Sequence, residues 1–259
     1  MKNTFENAII GNTGYIGSFL SKKIKFKFKY NSKNIHRLTK KTLGTVYISA
    51  PHALKYWANQ NPAEDSKIVD NLISNLNNLT CKRIIYFSST DIYLKKQNVN
   101  ENYKVLRKNL NIYGYNRLRI ENFIRDNFDN YLIVRLPALF GWKLKKNFFF
   151  DILNFKSLKY YNKKTSFQWY FIEWIVKDLK YALKNKIKTI NLVSEPLNLL
   201  EIVNYLKHDK KNFSENRKIV KYNVLTKYSW NKKINKYNYT KSDILKKMKT
   251  LYVKKLNNS

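Results

Sequence analysis

The sequence predicts an α/β fold: a Rossmann-type doubly wound parallel sheet followed by a smaller C-terminal lobe. Short apolar runs that suit buried strands alternate with helical patterns from residue 5 to residue 137. A turn that contains three of the chain's six glycines follows the first of these strands. Beyond Gly141 the pattern is less regular. We therefore predict a domain at 1–141 and a lobe at 142–259, packed on the domain and partly interleaved with its core.

The first element is the stretch from Asn7 to Gly17. Ala8–Ile10 is an apolar run typical of a buried strand, and glycines follow at intervals of three as a helical pattern opens. In such a turn the first glycine permits the bend, the second lets a pyrophosphate approach the backbone, and the third lets the helix pack on the strand. The helix N-terminus then faces the phosphates with free N–H groups. A glycine turn without a ligand is the alternative, but we predict a dinucleotide site formed by Gly11, Thr13, Gly14, Tyr15, Ile16 and Gly17.

The second strand indicates which dinucleotide is preferred. Lys25–Tyr30 alternates apolar and basic residues, as a strand with one solvated face does. A site that prefers NAD usually has an acidic residue just after this strand, yet no Asp or Glu occurs between Glu6 and Glu64. Ser32 and Lys33 follow the strand instead and can accept a 2′-phosphate. We therefore favour NADP over NAD as the cofactor, with an ordinary surface lysine as the alternative.

The third strand, Thr45–Ala50, is closed by Pro51. Because strand ends of this kind line the cofactor crevice in open α/β sheets, Ala50 and Pro51 are predicted cofactor contacts. Later elements of the domain are a helix from Pro62 or Ala63, a strand at Lys82–Phe87, a polar loop at Gln97–Tyr103, a helix at Tyr113–Phe128 and a strand at Tyr131–Leu136. In the lobe we predict helices near Phe148–Phe155, Ile172–Leu183, Leu199–Lys207 and Ser242–Leu256, and strands at Ser166–Phe171 and Thr189–Val193.

Two polar clusters have the residue types of an acid–base site. Ser88, Ser89 and Thr90 stand at the end of a predicted strand, and Tyr113 and Arg117 share one face of a helix because they are four apart. A fixed cation beside a tyrosine stabilises its phenolate and favours general acid or base chemistry. A serine hydroxyl can polarise the carbonyl that such a tyrosine protonates.

Four motifs together give the chain a resemblance to a known family. They are Gly11-x-x-Gly14-x-x-Gly17, Phe87-Ser88-Ser89-x-x-x-Tyr93, Tyr113-Gly114-x-x-Arg117 and Val134-Arg135-Leu136-Pro137-Ala138-Leu139-Phe140-Gly141. Over about residues 5 to 200 the chain resembles the extended short-chain dehydrogenases/reductases, of the NAD(P)-dependent sugar-nucleotide epimerase, dehydratase and reductase type. The resemblance implies that the C-terminal lobe binds the substrate.

The resemblance also assigns roles to individual residues. It implies Tyr113 as the catalytic tyrosine and Ser89 as the catalytic serine, with Thr90 as the second choice. Arg117 stands where the family has a lysine that holds the nicotinamide ribose and favours the ionised tyrosine. Arginine keeps the charge and the donors but is never neutral, so it cannot relay a proton. Expected substrate contacts are Thr90, Lys146, Asn147 and Gln168.

The implied function is that of an NAD(P)-dependent oxidoreductase or epimerase that acts on a sugar-nucleotide-like substrate by hydride transfer. Reduction, epimerisation and dehydration all remain open. The alternative is a non-catalytic NADP-binding sensor or scaffold that binds RNA or another polyanion, which Arg117 and the net charge of +34 favour. We consider nucleic acid an unexpected partner, because the lysines are spread along the whole chain and accompany no zinc-ligand cluster or RNA-binding aromatic motif.

Composition limits the compartment and the partners. The single cysteine, Cys81, excludes an internal disulfide framework and fits a reducing compartment. The first residues lack a signal-peptide layout, and apolar runs such as Phe148–Phe150 are far too short for a membrane span. We therefore expect a cytoplasmic protein without membrane contact. We also predict no metal site and a monomer or homodimer, and the resemblance implies that the partner is a small molecule, a nucleotide sugar.

Overall fold

The structure is a computed structural model that describes residues 5–38, 42–141, 143–209 and 212–258. The strands are β1 (Ala8–Ile10), β2 (Phe28–Tyr30), β3 (Leu43–Ile48), β4 (Cys81–Ser89), β5 (Gln97–Val99), β6 (Tyr131–Leu136), β7 (Ala138–Phe140), β8 (Ser166–Phe167), β9 (Trp169–Phe171), β10 (Thr189–Asn191), β11 (Leu197–Asn198) and β12 (Asn223–Val224). The helices are α1 (Tyr15–Lys23), α2 (Lys55–Gln60), α3 (Pro62–Leu76), α4 (Ile112–Asn127), α5 (Phe148–Leu153), α6 (Ile175–Lys184), α7 (Leu199–Leu206) and α8 (Lys241–Leu256).

Six strands form one parallel sheet in the order β10-β6-β4-β3-β1-β2. Ile10 of β1 lies opposite Tyr30 of β2 on one side and opposite Ile48 of β3 on the other. After β1 the chain forms β2 on one side of β1 and then β3 on the other side. The strand order therefore reverses at β1, and the topological switch point lies at the carboxyl ends of β1 and β3. Ligands of open α/β sheets bind at such a point. The predicted Rossmann-type α/β fold is confirmed.

The sheet is buried because its strands are apolar on both faces, as parallel strands covered by helices must be. All three residues of β1 are buried, and Ile84 of β4 and Ile133 of β6 are fully buried in the same sheet. Apolar residues at helical spacing pack α3 and α4 against this core. Each such side chain contributes about 1.5–3 kcal/mol when it leaves water. The packing fixes the position of α4, which carries Tyr113.

Several predicted elements differ from the structure, three of them as follows. The strand predicted at Lys25–Tyr30 is shorter, since β2 covers only its last three residues. The predicted polar loop at Gln97–Tyr103 contains β5, which pairs in parallel with β12 far along the chain. The strand predicted at Ser166–Phe171 is divided into β8 and β9 at Gln168, whose side chain bonds to other backbone segments. Contacts between distant segments leave no local pattern in the sequence.

The chain divides into two compact units. Unit 1 comprises Met1–Leu94, Lys104–Arg135 and Val176–Ile190, and unit 2 comprises Lys95–Tyr103, Leu136–Ile175 and Asn191–Ser259. The domain boundary predicted at 141/142 stays a prediction. Within the described ranges, no helix has both the length and the apolar composition needed to cross a bilayer.

Candidate active site

The glycine turn is packed tightly against the end of β3. Gly11 has a φ of +88°, and a Cβ there would lie 2.8 Å from the carbonyl carbon of Ser49. A Cβ on Gly17 would overlap the carbonyl oxygen of Gly11. The Ser49 hydroxyl donates hydrogen bonds to the carbonyls of Ile10 (3.2 Å) and Gly11 (3.0 Å). Two of the three glycines are therefore required by the fold itself.

Gly14 is different, because the space around it is more open. A Cβ there would meet Gly11 O at 3.3 Å, and Thr13 and Gly14 are exposed while Tyr15 and Ile16 are half-buried. Gly14 is the N-cap of α1, and among the described residues neither a capping side chain nor a first-turn acidic residue occupies this helix end. An uncapped helix N-terminus presents amide donors and a positive dipole end. These features fit the diphosphate of a dinucleotide.

The loop after β2 lies beside this turn. The amides of Gly11 (2.8 Å) and Asn12 (3.2 Å) donate to the carbonyl of Tyr30, the last residue of β2. Ser32 and Lys33 are exposed in the turn that follows. They therefore lie near the glycine turn in space, but their role in 2′-phosphate binding stays a prediction.

The segment after β3 contacts α4. Ala50 is half-buried and Pro51 is buried at the carboxyl end of β3. The next residue, His52, accepts a hydrogen bond at its carbonyl from Nη2 of Arg117 (2.8 Å). The predicted cofactor contacts at the end of β3 therefore lie beside the predicted catalytic helix in unit 1.

The start of α4 is fixed by three contacts in unit 1. The Asn111 side chain caps the helix by accepting from the Gly114 amide (2.9 Å). The Tyr113 amide donates to Oδ1 of Asn59 (3.2 Å) in α2. Gly114 lies so close to the carbonyl of Asp91 that a Cβ would overlap it. The structure thus brings Tyr113 next to the serine motif at the end of β4.

Arg117 is a buried cation, and one of its hydrogen-bond donors is unused. Only 3% of the residue is exposed, and its guanidinium carbon lies 4.4 Å from the centre of the Tyr113 ring, in cation–π geometry. Its Nη1 is buried and has no hydrogen-bond partner within the described part of the chain. A buried donor left without a partner is costly. The unused donor fits an oxygen of a bound ligand, such as a ribose hydroxyl.

A second phenol near Arg117 is a poor candidate for acid–base chemistry. Tyr86 lies inside the sheet and is fully buried. Burial raises the pKa of the Tyr86 phenol far above its usual value, and the positive charge of Arg117 only partly offsets this. Tyr86 therefore stays protonated.

The serine motif forms a short turn after β4. Oγ of Ser89 accepts from the amide of Asp91 (3.1 Å), which caps the 3₁₀ turn at Thr90–Ile92 and leaves the hydroxyl proton to be donated elsewhere. Thr90 is 3% exposed. The Asp91 carboxylate pairs with Nζ of Lys55 in α2 (2.7 Å). This pair ties α2 to the segment that carries Ser89.

An ionic cluster, which we define as Ser88, Tyr93, Glu121, Arg125 and Arg135, lies beneath the serine motif. Oε1 of Glu121 accepts from the Ser88 hydroxyl (2.6 Å) and Nε of Arg135 (3.0 Å). Oε2 of Glu121 accepts from one Nη2 each of Arg125 and Arg135 (both 2.6 Å). Nη1 of Arg135 donates to the Tyr93 hydroxyl (2.6 Å). Arg135 therefore has a structural ion-pair partner.

Glu121 remains ionised within this cluster. Burial alone would raise the pKa of Glu121, but the charges and hydrogen bonds of Arg135, together with Arg125 and Ser88, outweigh it and hold the pKa below its usual value. The sequence analysis missed Glu121. Its position four residues after Arg117 and eight after Tyr113, on the same helix face, is the signal that would have found it.

In unit 2, Asn147 and Lys146 precede α5. Oδ1 of Asn147 caps that helix by accepting from the amides of Phe149 (3.0 Å) and Phe150 (3.2 Å), and its Nδ2 donates to the carbonyl of Leu139 (2.8 Å). Lys146 is exposed, although partial desolvation of its amine lowers the amine's pKa. Substrate binding by these two residues stays a prediction.

Gln168 is 2% exposed in unit 2, and its side chain bonds to the backbone. Its Nε2 donates to the carbonyls of Ser194 and Val224, and its Oε1 accepts from the Val224 amide, each at 2.7 Å. These bonds hold three chain segments together. They favour a structural role, and substrate contact by Gln168 stays a prediction.

Comparison with solved structures gives high fold similarity at low sequence identity. UDP-glucuronic acid 4-epimerase from Bacillus cereus, in complex with UDP-4-deoxy-4-fluoro-glucuronic acid and NAD, has a TM-score of 0.74 and 14% identity, covering 98% of this chain and 99% of that chain. UDP-N-acetylglucosamine 4-epimerase from Methanobrevibacter ruminantium M1 gives 0.73 and 14%, with 98% and 99% coverage. dTDP-4-dehydrorhamnose reductase from Yersinia enterocolitica gives 0.68 and 14%, with 96% and 100% coverage.

No known family profile matches the sequence, and no curated protein matches it significantly. The similarity to the solved structures extends over nearly the whole chain, which agrees with the order of the four motifs. The chain therefore has the fold of nucleotide-sugar epimerases and reductases, the fold of the extended short-chain dehydrogenases/reductases that its motifs predict.

Proposed function

We propose that the protein is an NAD(P)-dependent enzyme of the short-chain dehydrogenase/reductase type that acts on a nucleotide-sugar-like substrate. The observation that carries the proposal is Arg117, a buried guanidinium that lies over the Tyr113 ring and has an unused donor at Nη1. Further support comes from the glycine turn, which stands at the topological switch point of the sheet. Structures with this fold have been solved in complex with NAD and UDP-sugars.

The proposed cofactor site uses the end of β1 and the start of α1. The α1 amides and Gly14 bind the diphosphate, Ala50 and Pro51 line the crevice, and Ser32 and Lys33 contact the adenosine ribose. The two cofactors NAD and NADP differ in that ribose, and the absence of an acidic residue there supports NADP. When bound, the nicotinamide supplies hydride transfer.

The residues of unit 1 supply the proton chemistry. Tyr113 gives or takes a proton at its phenolic oxygen, and Ser89 donates its free hydroxyl proton to the substrate oxygen. Arg117 packs its guanidinium against the Tyr113 ring and offers Nη1 to a ribose hydroxyl. Because arginine does not lose its proton in proteins, the proton that reaches Tyr113 does not pass through Arg117.

The rest of the proposal concerns the substrate and the setting. Thr90, Lys146, Asn147 and Gln168 are the proposed substrate contacts, the protein acts in the cytoplasm, and it is a monomer or homodimer. The proposal covers reduction, epimerisation and dehydration, since all three use a tyrosine and a nicotinamide in this way.

The test compares two tyrosines of one helix. Tyr113→Phe should lower turnover of UDP- and dTDP-sugars by about 100-fold or more, because it removes the general acid or base, while the dissociation constant for the dinucleotide stays within about 3-fold. Tyr115→Phe is the matched control, since Tyr115 also has an arginine four residues later and lies two residues along α4. Turnover that survives in Tyr113→Phe rejects the assignment.

The second candidate is a non-catalytic NADP-binding sensor, which the substitution of arginine for the expected lysine favours. A sensor binds the dinucleotide but converts no nucleotide sugar. Wild type and Tyr113→Phe would then bind the dinucleotide equally and both lack turnover, which the enzymatic proposal does not allow.

A further inference from the structure

We infer that Glu121 is a positioning residue, which acts through the ionic cluster to fix Ser89 relative to Tyr113. The inference rests on the proposed function. Glu121 is fully buried in α4 and binds groups from β4 and β6 at once. It lies outside the reacting groups themselves.

The cluster holds the serine segment on both sides of Ser89. Ser88, directly before it, donates to Glu121 (2.6 Å), and Tyr93, four residues after it, accepts from Arg135 (2.6 Å). Arg135 is itself paired with Glu121 through two hydrogen bonds. The short turn at Thr90–Ile92 is thus anchored at each end to one carboxylate.

The same carboxylate is rigidly connected to Tyr113. Glu121 follows Tyr113 by eight residues in α4, which is about 12 Å along a continuous helix. Because a helix is a rigid element that can carry such a displacement, a change in how Glu121 sits on β4 is expected to move Tyr113 as well. The helix start is also held, by the hydrogen bond from the Tyr113 amide to Asn59 and by the packing of Gly114 on the Asp91 carbonyl.

Energetics favour a geometric role over a purely stabilising one. The cost of removing Glu121 and Arg135 from water offsets much of their attraction, so this buried ion pair adds little net stability. Its hydrogen bonds are directional, however, and fix distances between elements. A 1 Å misplacement of a catalytic group can lower turnover by about 100-fold.

The first experiment measures turnover and binding in two cluster variants. Ser88→Ala removes the bond between β4 and Glu121 and keeps both ion pairs, whereas Glu121→Gln keeps the side-chain shape and removes the charge. Each should lower kcat by about 10-fold or more, with KM and the dinucleotide dissociation constant within about 3-fold. Asp178→Asn is the matched control: Asp178 is a buried carboxylate in α6 of unit 1, and its kcat should stay within about 2-fold.

A double variant separates positioning from general damage. Because Ser88 acts through Ser89 and Tyr113, adding Ser88→Ala to Tyr113→Phe should lower the residual turnover by less than about 2-fold. The inference is overturned if the double variant loses a further 10-fold in turnover. It is also overturned if folded Ser88→Ala has an unchanged kcat, or if Asp178→Asn loses as much kcat as Ser88→Ala does. Should Glu121→Gln fail to fold, Ser88→Ala decides.

Amide hydrogen exchange keeps the inference testable if the proposed function fails. With wild type inactive on every nucleotide sugar, Ser88→Ala should still exchange faster than Asp178→Asn in two peptides, one containing Ser89 and one containing Tyr113. Faster exchange in both supports the coupling of β4 to α4 through Glu121. Faster exchange in the Ser89 peptide alone, or in neither, overturns it.

Discussion

Glu121 shows how one buried residue can connect stability, pH and the candidate site. The carboxylate has no contact with water, yet its pKa is held below its usual value because Arg135 and Arg125 surround it. In the unfolded chain the same carboxyl titrates near 4.3. The folded protein therefore needs Glu121 ionised, and the unfolded chain takes up its proton first as the pH falls.

We predict a corresponding loss of stability in acid. Because the folded pKa of Glu121 is the lower one, its contribution is complete above about pH 5 and disappears as the pH falls through the folded value. Urea unfolding from pH 7 to about pH 3 should show a steeper decline for wild type than for Glu121→Gln. The exposed Glu215, whose pKa Lys163 lowers, provides the control Glu215→Gln, which should decline nearly as wild type does. Parallel curves for all three proteins would contradict this account.

At the scale of elements, α4 is the part on which the site depends. Asn111 caps its start, Gly114 packs against the Asp91 carbonyl just after β4, and Glu121, near its middle, accepts a hydrogen bond from Ser88 of β4. The glycine at 114 is needed for close approach, since the Asp91 carbonyl occupies the place of a Cβ.

Gly114→Ala should therefore destabilise the protein although alanine favours helices. The gain in helix propensity is about 1 kcal/mol, whereas overlap with a backbone carbonyl costs about 1–3 kcal/mol and forces α4 away from Asp91. Urea unfolding should show a net loss, and turnover should fall as well. Asn122→Ala, at an exposed position of the same helix, should leave stability equal or higher. A stable Gly114→Ala would show that α4 does not pack on the serine motif.

Local periodicity predicted the elements that it encodes and missed those set by distant partners. The helix from Pro62 and the strand at Tyr131–Leu136 follow from apolar spacing and a proline start, and the structure has both. The pairing of β5 with β12 joins residues more than 120 positions apart, so nothing near Gln97 indicates it. In the same way Tyr113 and Arg117 were found by their spacing. Glu121 continues the same spacing, but its role was not predicted because its partners Ser88 and Arg135 come from two other strands.

For the whole molecule, charge is the property to explain. The chain has 51 Lys and Arg against 17 Asp and Glu, and basic residues occur in both units. Few of them belong to buried clusters such as that of Arg135, and most of the lysines are exposed. Exposed lysines interact with polyanions through screened, non-directional forces.

Binding of single-stranded RNA should accordingly be weak and steeply dependent on salt. Counterion release predicts a loss of about 1,000-fold or more in affinity between 50 and 200 mM salt, with no preference for base sequence. Fluorescence anisotropy with labelled homopolymers checks this, and a labelled polyanion without bases, heparin, is the control. Affinity better than about 0.1 μM at 150 mM salt, or a clear sequence preference, would support the RNA-binding alternative instead.

The central claim is that a dinucleotide diphosphate binds at the glycine turn, and two glycine variants test it most directly. Tryptophan fluorescence titrated separately with NADPH and NADH should saturate for wild type, with NADPH binding tighter. Gly14→Ala should lose less stability than Gly17→Ala, because its Cβ meets Gly11 O at 3.3 Å and Ser49 O at 3.8 Å without overlap, yet it should bind both dinucleotides about 10-fold or more weakly. Gly17→Ala, whose Cβ overlaps the Gly11 carbonyl, should lose stability as well. The account is contradicted if the fluorescence of the wild type does not saturate with either dinucleotide. It is also contradicted if Gly14→Ala binds both dinucleotides with the wild-type affinity.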